Sequence, residues 1–255
     1  MKKLITICAL AVMTVSAMAA PKTYGLFSPN GKITVSVETG ENLTYTLYHG
    51  EDLIIDKSEI QMVLADGTVY GGAQKKNPKV SMKSVDQKHV TVLYKKSEIV
   101  DRYNEMTLKY KDYSVVFRAY DEGVAYRFIS HATEPFKVKD ELAEFNFAQE
   151  WNCWVPYVDS RTKTDVGRFW SSFENTYNYL PVSKWDSKEL VFLPFMADGP
   201  NGKKIVITEA DLMNYPGMYL YNGDGGSDIA ARFAGYPDEV KQGGHNNLQM
   251  EVQSR

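Results

Sequence analysis

Short segments in which apolar and polar residues alternate one by one are the feature that most constrains this chain. Ile33, Val35 and Val37 alternate with polar residues, and residues 43–47 repeat the same period of two. That period is typical of a β-strand with one buried face. The other strand-like segments are residues 90–94, 106–110, 113–119, 124–129, 190–196, 205–208 and 218–221. No segment after residue 20 keeps the period of an α-helix over three turns, so the strands must pair with one another.

Turn residues separate these segments. Gly31 follows Asn30, Gly67 follows Asp66, and Gly123 closes the sequence Asp-Glu-Gly between two strand-like segments. Glycine supplies the positive φ angle that tight turns between antiparallel strands need. Strands do not alternate with helices, which argues against a doubly wound parallel sheet. We therefore predict an all-β fold, a large antiparallel β-sandwich formed as a single domain.

The first residues are typical of an export signal. Two lysines at positions 2 and 3 precede an apolar segment, residues 4–18, and Ala17-Met18-Ala19 gives a small-x-small cleavage pattern. We predict a signal peptide over residues 1–19 and a mature domain over residues 20–255, in the periplasm or secreted. The alternative is a membrane anchor, but the apolar segment is short for spanning, so no membrane span is expected after cleavage.

Charge and cysteine content exclude several classes of function. The formal net charge is -3, and without the two N-terminal lysines the 27 remaining basic residues face 32 acidic ones, giving -5. Such a surface does not attract a phosphate backbone, so nucleic acid is not an expected partner. Cys153 is the only cysteine left after cleavage. It forms no intramolecular disulfide, and we expect a buried thiol.

The strongest candidate for a functional side chain is Glu209. It ends the apolar run of residues 203–208 and precedes a polar break and a Pro-Gly pair. Side chains at such strand ends are often offered to ligands. The alternative is structural: the Glu209 carboxylate, assisted by Asp211, caps a short turn that begins near Ala210.

Aromatic residues form a second candidate between residues 151 and 185, since sugar rings stack on flat aromatic side chains. This group consists of Trp151, Trp154, Tyr157, Trp170, Phe173, Tyr177, Tyr179 and Trp185, interleaved with Arg161, Lys163, Asp165, Arg168, Glu174 and Asn175. The alternative is that the rings fill the interior. The four histidines, His49, His89, His131 and His245, lack metal-ligand spacing, so a zinc site is not expected. Asp121 and Glu122 are neighbours in a turn, which favours solvated side chains over a catalytic pair.

Four segments in order along the chain resemble one known family. They are SPNGKI at 28–33, FRAYDEGVAYRF at 117–128, ITEADLMNYPGMYL at 207–220 and FAGYP at 233–237. This series is similar to the N-terminal domain of glycoside hydrolase family 97, which contains bacterial α-glucosidases and α-galactosidases. The resemblance implies a β-super-sandwich like that of galactose mutarotase. It also implies that the domain packs on a (β/α)8 catalytic barrel, which we expect to lie beyond Arg255.

The resemblance also implies roles for particular residues. In calcium-dependent, inverting members of the family, a glutamate of this domain helps bind Ca²⁺ in the active site of the barrel, and Glu209 matches it. No catalytic residue is expected in the chain itself, and no substrate-binding residue is assigned. The implied substrate is an α-linked oligosaccharide, of the α-glucosidase type, although the sequence does not separate glucosides from galactosides. Two alternatives remain: a self-sufficient mutarotase-like enzyme and a purely structural domain.

Overall fold

The computed structural model describes residues 18–159, 167–169, 171–213, 215–223, 225–235, 239–241 and 249–251. Its strands are β1 Lys22–Phe27, β2 Ile33–Thr39, β3 Thr44–His49, β4 Asp52–Leu64, β5 Val69–Tyr70, β6 Lys79–Val90, β7 Glu98–Lys109, β8 Tyr113–Tyr120, β9 Val124–Ser130, β10 Val138–Phe147, β11 Asn152–Val155, β12 Asn178–Pro181, β13 Phe195–Asp198, β14 Lys204–Ile207, β15 Met218–Tyr221, β16 Asp228–Phe233, β17 Glu239–Lys241 and β18 Gln249–Glu251. The described helices are single 3₁₀ turns at Gly167–Phe169, Val182–Lys184 and Pro200–Gly202. The all-β prediction is confirmed.

The described strands form three main sheets, and the strand pairs within them are antiparallel. The largest has the order β1-β2-β3-β4-β10-β16-β15, with β5 added to β4. The second has the order β6-β7-β8-β9, and the third has the order β12-β11-β13-β14. A separate hairpin pairs β17 with β18. The third sheet joins the first through Val191, whose backbone exchanges two hydrogen bonds of 2.9 Å with Leu220 of β15.

One buried cluster draws on all three sheets and forms the core. Val35 of β2, Phe117 of β8 and Phe195 of β13 are fully buried in it. Trp151 also lies there, with its ring against Gly199, where a Cβ would be 2.3 Å from the nearest ring carbon. Only glycine fits that position without a shift of the tryptophan. The alternation found in the sequence therefore reflects side chains that point into a shared interior.

One part of the second sheet extends beyond this core. Strands β6 and β7 pair along twelve residues each, from Lys79 opposite Lys109 to Val90 opposite Glu98. Strand β8 pairs with β7 only between Tyr103 and Lys109. Residues 86–102, named here the ribbon, therefore project as two strands alone. Leu93 at the tip of the ribbon is 96% exposed.

Two sequence expectations about strands need correction. Residues 90–94 were expected to form a strand, but only Val90 belongs to β6, and the chain turns where Thr91 donates to the carbonyl of Ser97 over 3.0 Å. The consecutive apolar residues there mimic a strand, although no core covers them. Of residues 190–196, only the last two belong to β13, because the segment before them crosses between sheets through Val191.

The hairpins predicted from Asn-Gly, Asp-Gly and Asp-Glu-Gly are confirmed. They join β1 to β2, β4 to β5 and β8 to β9. Gly31 and Gly67 have positive φ angles, but Gly123 does not, so the expected conformation is wrong at that glycine. The predicted signal peptide lies almost wholly outside the described residues, which begin at Met18. In the part of the chain that is described, no helix is both long and apolar enough to cross a membrane.

Candidate functional site

Glu209 lies just beyond an edge strand of the third sheet. Strand β14 pairs only with β13 and ends at Ile207, which is buried. The half-buried side chain of Glu209 then turns back toward the first sheet. Its two carboxylate oxygens accept a hydrogen bond from the backbone N–H of Met218, at 3.0 and 3.1 Å. Met218 begins β15, so the carboxylate closes the loop that connects β14 to β15.

The conformation of this loop differs from the expected one. A short helical turn was predicted near Ala210, with the Glu209 carboxylate as its cap. The described residues 210–213 contain no helix, and Asp211 has a φ angle of 57°, in the left-handed region. The Glu209 carboxylate bonds to the backbone of Met218 and not to a turn near Ala210. The predicted cap near Ala210 is therefore wrong. Glu209 has a structural contact, but it is made to the far end of the loop.

A second carboxylate, Glu141 of β10, lies in the same region. The hydroxyl of Tyr215, in the loop, donates a hydrogen bond to Glu141. Burial raises the pKa of Glu141, and the negative charge of Glu209 raises it further, whereas the bond from Tyr215 acts in the opposite direction. The pKa of Tyr219 is raised mainly by burial and then by the charge of Glu209. Glu209 therefore lies close enough to Glu141 and Tyr219 to affect their pKa values, and Tyr215 bonds to Glu141. We treat these four residues as one site.

Glu141 was not predicted as a site residue from the sequence. It lies in the segment Val138–Phe147, which was not recognised as a strand because charged residues interrupt its apolar positions. Its partner Tyr215 is 74 residues away along the chain. The only available signal was Tyr215 itself, beside the Pro-Gly pair, because a tyrosine in a turn is often held by its hydroxyl.

Further contacts hold the loop from two sides. Arg127 of β9 lies 3.5 Å from the carboxylate of Asp211. The ring of Tyr215 meets Phe233 of β16 edge to face, with 5.8 Å between centroids. Among the described residues, the ion pairs of this region stop at Asp211, and no basic side chain forms an ion pair with Glu141 or Glu209.

The polar side chains of this site offer oxygen atoms as donors to a ligand. Carboxylates are hard ligands suited to Ca²⁺, which takes six to eight oxygens. Within the described ranges, no group of three or more Asp, Glu, His or Cys residues is arranged to hold a metal ion. Glu209 and Glu141 can therefore supply only part of a calcium site, with the remaining ligands from elsewhere.

The aromatic candidates divide into two groups. Trp151 and Trp185 are buried in the core, which supports the interior-filling alternative for them. Phe173, Tyr177 and Tyr179 are exposed. Trp154 and Tyr157 are half-buried. Trp170, Arg161, Lys163 and Asp165 lie outside the described residues.

The remaining candidates have structural partners. Cys153 is buried, as predicted, and burial raises the pKa of its thiol to about 12. Asp121 accepts a bond from the backbone N–H of Asn30 over 2.8 Å and pairs with Arg102. These contacts, led by the bond from Asn30, lower its pKa. Asp121 therefore ties two hairpins together and is not simply solvated.

Two of the described histidines have separate structural partners. The ring of His131 contacts the hydroxyl of Ser114 at 2.9 Å and the carbonyl of Lys111 at 3.1 Å. His89 lies 3.6 Å from Asp101 in the ribbon. His245 lies outside the described residues.

Comparison with known proteins identifies the family. Residues 26–253 match the family described as glycosyl-hydrolase 97 N-terminal. The retaining alpha-galactosidase of Bacteroides thetaiotaomicron is 40% identical over 254 residues, which cover 99% of this chain and 38% of that enzyme. A glycoside hydrolase family 97 enzyme from Pseudoalteromonas sp. strain K8, solved with panose, has a TM-score of 0.68 at 21% identity and covers 91% of this chain and 34% of its own. A beta-arabinopyranosidase has a TM-score of 0.70 at 20% identity, over 88% of this chain and 37% of its own.

The two solved structures support the fold alone at these identities. The chain spans less than two fifths of each of these relatives. The match to the family covers nearly the whole sequence and agrees with the all-β architecture. The chain therefore belongs to the glycosyl-hydrolase 97 N-terminal family.

Proposed function

We propose that this chain is the accessory N-terminal domain of a periplasmic or secreted α-glycosidase, and that it lends Glu209 to a calcium site in the catalytic barrel. The observation that carries the proposal is the placement of Glu209. It lies at a strand end, half-buried, and its carboxylate accepts one backbone N–H without a basic partner among the described residues. A carboxylate accepts about four hydrogen bonds or metal contacts, so Glu209 retains capacity for a cation.

The substrate class follows from the family and the Bacteroides relative. The resemblance suggested an enzyme of the α-glucosidase type. The relative that is 40% identical is named an alpha-galactosidase, which favours α-linked galactosides as the first substrates to test. Its name also says retaining, whereas the resemblance attached calcium to inverting members. The calcium proposal therefore rests on the site around Glu209 and needs its own experiment.

That experiment compares Glu209→Gln in the full-length enzyme and in the isolated chain. Loss of one anionic ligand should weaken calcium affinity at least about tenfold and lower glycosidase activity. In the isolated chain the same change should cost little, because the Gln oxygen still accepts the Met218 N–H. Glu209→Ala removes that acceptor and should cost about 1–2 kcal/mol of unfolding free energy.

Calcium titration and thermal melting of both proteins decide between the functions. Glu122→Gln, at an exposed turn carboxylate, is the matched control and should change neither property. Unchanged calcium dependence in Glu209→Gln would leave only the structural role of the domain.

Export is tested separately. N-terminal sequencing of the protein recovered from the periplasm or medium should start at Ala20 or Pro21. Recovery of chains that retain Met1 would contradict the signal peptide.

A further inference from the structure

The tip of the ribbon exposes a group of neighbouring apolar side chains. Val90, Val92 and Leu93 are between 84% and 96% exposed, and Tyr94 beside them is 58% exposed. They lie where β6 ends and the chain turns back toward β7, beyond the reach of β8. Single exposed apolar residues are ordinary at a protein surface, but a group of them marks a contact site.

Unpaired positive charge lies beside these side chains. Lys95 and Lys96 follow Tyr94 directly, and residues 90–97 contain no Asp or Glu. The ammonium of Lys95 lies 5.9 Å from the centroid of the Tyr94 ring. Among the described residues, neither lysine forms an ion pair. The tip therefore presents two positive charges, although the whole chain has a net charge of -3.

The rest of the ribbon holds the tip away from the acidic body of the domain. Lys88 and Glu98, just below the tip, offset each other at 2.8 Å. Strand β8 pairs with β7 no further than Tyr103, which lies opposite Val85 of β6. Residues 86–90 extend beyond that point by about 17 Å, at about 3.4 Å per residue. The Debye length at physiological ionic strength is about 8 Å, so the negative charge of the body is largely screened at the tip.

We propose that the ribbon tip binds the surface of an anionic lipid bilayer, with its apolar side chains among the headgroups and its two lysines beside the lipid phosphates. This inference goes beyond the proposed function, because it needs neither the calcium site nor a sugar. Charge selects the occupant, since the unpaired lysines of an otherwise acidic chain are complementary to a negative surface. A tyrosine next to aliphatic residues is also typical of a membrane–water interface.

The shape of the tip argues against a folded protein as the partner. A stable protein interface uses roughly 20–30 residues of each partner, whereas the tip consists of the eight residues 90–97 between two strands. A lipid surface needs no complementary shape and accepts a narrow element. The contact should be shallow, because the backbone groups of a turn are costly to place in hydrocarbon.

Vesicle sedimentation of the chain from Ala20 onward tests the proposal. Leaving out residues 1–19 removes an apolar segment that would itself bind lipid, and it keeps β1. The chain should sediment with vesicles of equal parts phosphatidylglycerol and phosphatidylcholine. Its affinity for phosphatidylcholine alone should be at least about tenfold lower, because each lysine near an anionic surface contributes about fivefold. Equal binding to both vesicles, or binding to neither, would overturn the proposal.

Paired serine variants test the apolar part of the contact. Val92→Ser with Leu93→Ser should weaken binding to the anionic vesicles at least about tenfold. Leu212→Ser with Met213→Ser changes an exposed apolar pair elsewhere and is the matched control. The control should bind like the unmodified chain. An equal loss in the two variants would place the lipid contact outside the ribbon and contradict the proposal.

A second pair and a fluorescent probe test the charge and the location. Lys95→Gln with Lys96→Gln should weaken binding to the anionic vesicles about thirtyfold, to the level seen with phosphatidylcholine alone. Leu93→Trp places an indole at the tip, and the spectrum of the unmodified chain is subtracted. Emission from this indole should shift to shorter wavelength on addition of anionic vesicles. A retained lipid preference in the lysine variant, or an unshifted emission, would count against the tip.

The full-length enzyme separates lipid from protein as the partner. It should bind the same vesicles, with the same loss in Val92→Ser with Leu93→Ser. Glu209→Gln should bind them like the unmodified enzyme, so the outcome is independent of the calcium role. If the full-length enzyme does not bind lipid, or if the tip variant only converts dimers to monomers, the ribbon is a protein contact and the proposal fails.

Discussion

Two carboxylates of this domain, the buried Glu105 and the half-buried Glu141, have opposite surroundings. Glu105, at the base of the ribbon, meets Lys83 at 2.9 Å and Arg118 at 2.7 Å. Burial acts to raise its pKa, but the hydrogen bonds and charges of these two cations outweigh burial and lower it. Glu141, near Glu209, has a tyrosine hydroxyl and a neighbouring carboxylate, and its pKa is raised, mainly by burial.

The difference lies in whether the fold itself supplies a basic partner for the carboxylate. Where the fold needs a buried anion, as at Glu105, the chain supplies the cations itself. Among the described residues, no basic side chain pairs with Glu141, and its pKa is raised, first by burial. A cation arriving at that site would lower the pKa of Glu141 toward its ordinary range.

The largest effect should follow from removing the structural anion. Glu105→Ala leaves Lys83 and Arg118 without their shared partner and should lower the unfolding free energy by about 2–3 kcal/mol. Urea denaturation followed by tryptophan fluorescence measures this loss. Glu98→Ala breaks a more exposed pair with Lys88 and should change stability by less than about 0.5 kcal/mol. Equal losses would erase the distinction between the buried and exposed pairs.

A smaller loss should follow from removing the tyrosine hydroxyl that donates to Glu141. Tyr215→Phe deletes the hydroxyl but keeps the ring contact with Phe233. The half-buried Glu141 carboxylate then loses a hydrogen bond, and the unfolding free energy should fall by about 1–2 kcal/mol. Tyr177→Phe, at an exposed tyrosine, is the control and should be neutral. If Tyr215→Phe also leaves the unfolding free energy unchanged, water replaces the lost hydrogen bond to Glu141, and the carboxylate is accessible to solvent.

The strands could be predicted because alternation and turn glycines are local signals. Residues 113–119 and 218–221 alternate or run apolar beside clear turns, and the structure places β8 and β15 there. Local signals do not show which strands pair. For that reason the position of β10 between β4 and β16 and the projection of the ribbon were not foreseen.

The site was foreseen only in part, for a related physical reason. Glu209 could be found because it directly follows a strand and precedes a turn. Glu141 reaches it only through the pairing of β10 in another sheet, and its raised pKa arises from burial in the folded chain. When a carboxylate lies within a charged segment, the sequence alone does not predict that folding will bury it.

Glu141 and Glu105 should make the unfolding free energy depend on pH in opposite directions. Because the folded pKa of Glu141 is raised, the folded state binds more protons than the unfolded state, and stability falls as pH rises from the ordinary carboxyl pKa through the raised one. Because the folded pKa of Glu105 is lowered, its contribution is lost as pH falls from the ordinary value through the lowered one.

Denaturant midpoints of separate Glu141 and Glu105 variants, measured at a series of acidic pH values, resolve the contribution of each carboxylate to stability. Glu141→Gln should abolish the decline on the higher-pH side, and Glu105→Gln should reduce the decline on the lower-pH side. Calcium added to the full-length enzyme should also reduce the Glu141 contribution, since a cation favours the charged form. A Glu141→Gln profile identical to the wild type would contradict the assignment.

The smallest effects should distinguish two exposed apolar side chains. Leu93 at the ribbon tip is 96% exposed, and Leu212 in the loop after β14 is 49% exposed. Full burial of a leucine is worth about 1.5–3 kcal/mol, so Leu212→Ser should lower the unfolding free energy of the isolated chain by about 1 kcal/mol and Leu93→Ser by close to zero. Differential scanning calorimetry of the two variants measures both losses. Equal losses at positions 212 and 93 would remove the energetic distinction between the loop and the ribbon.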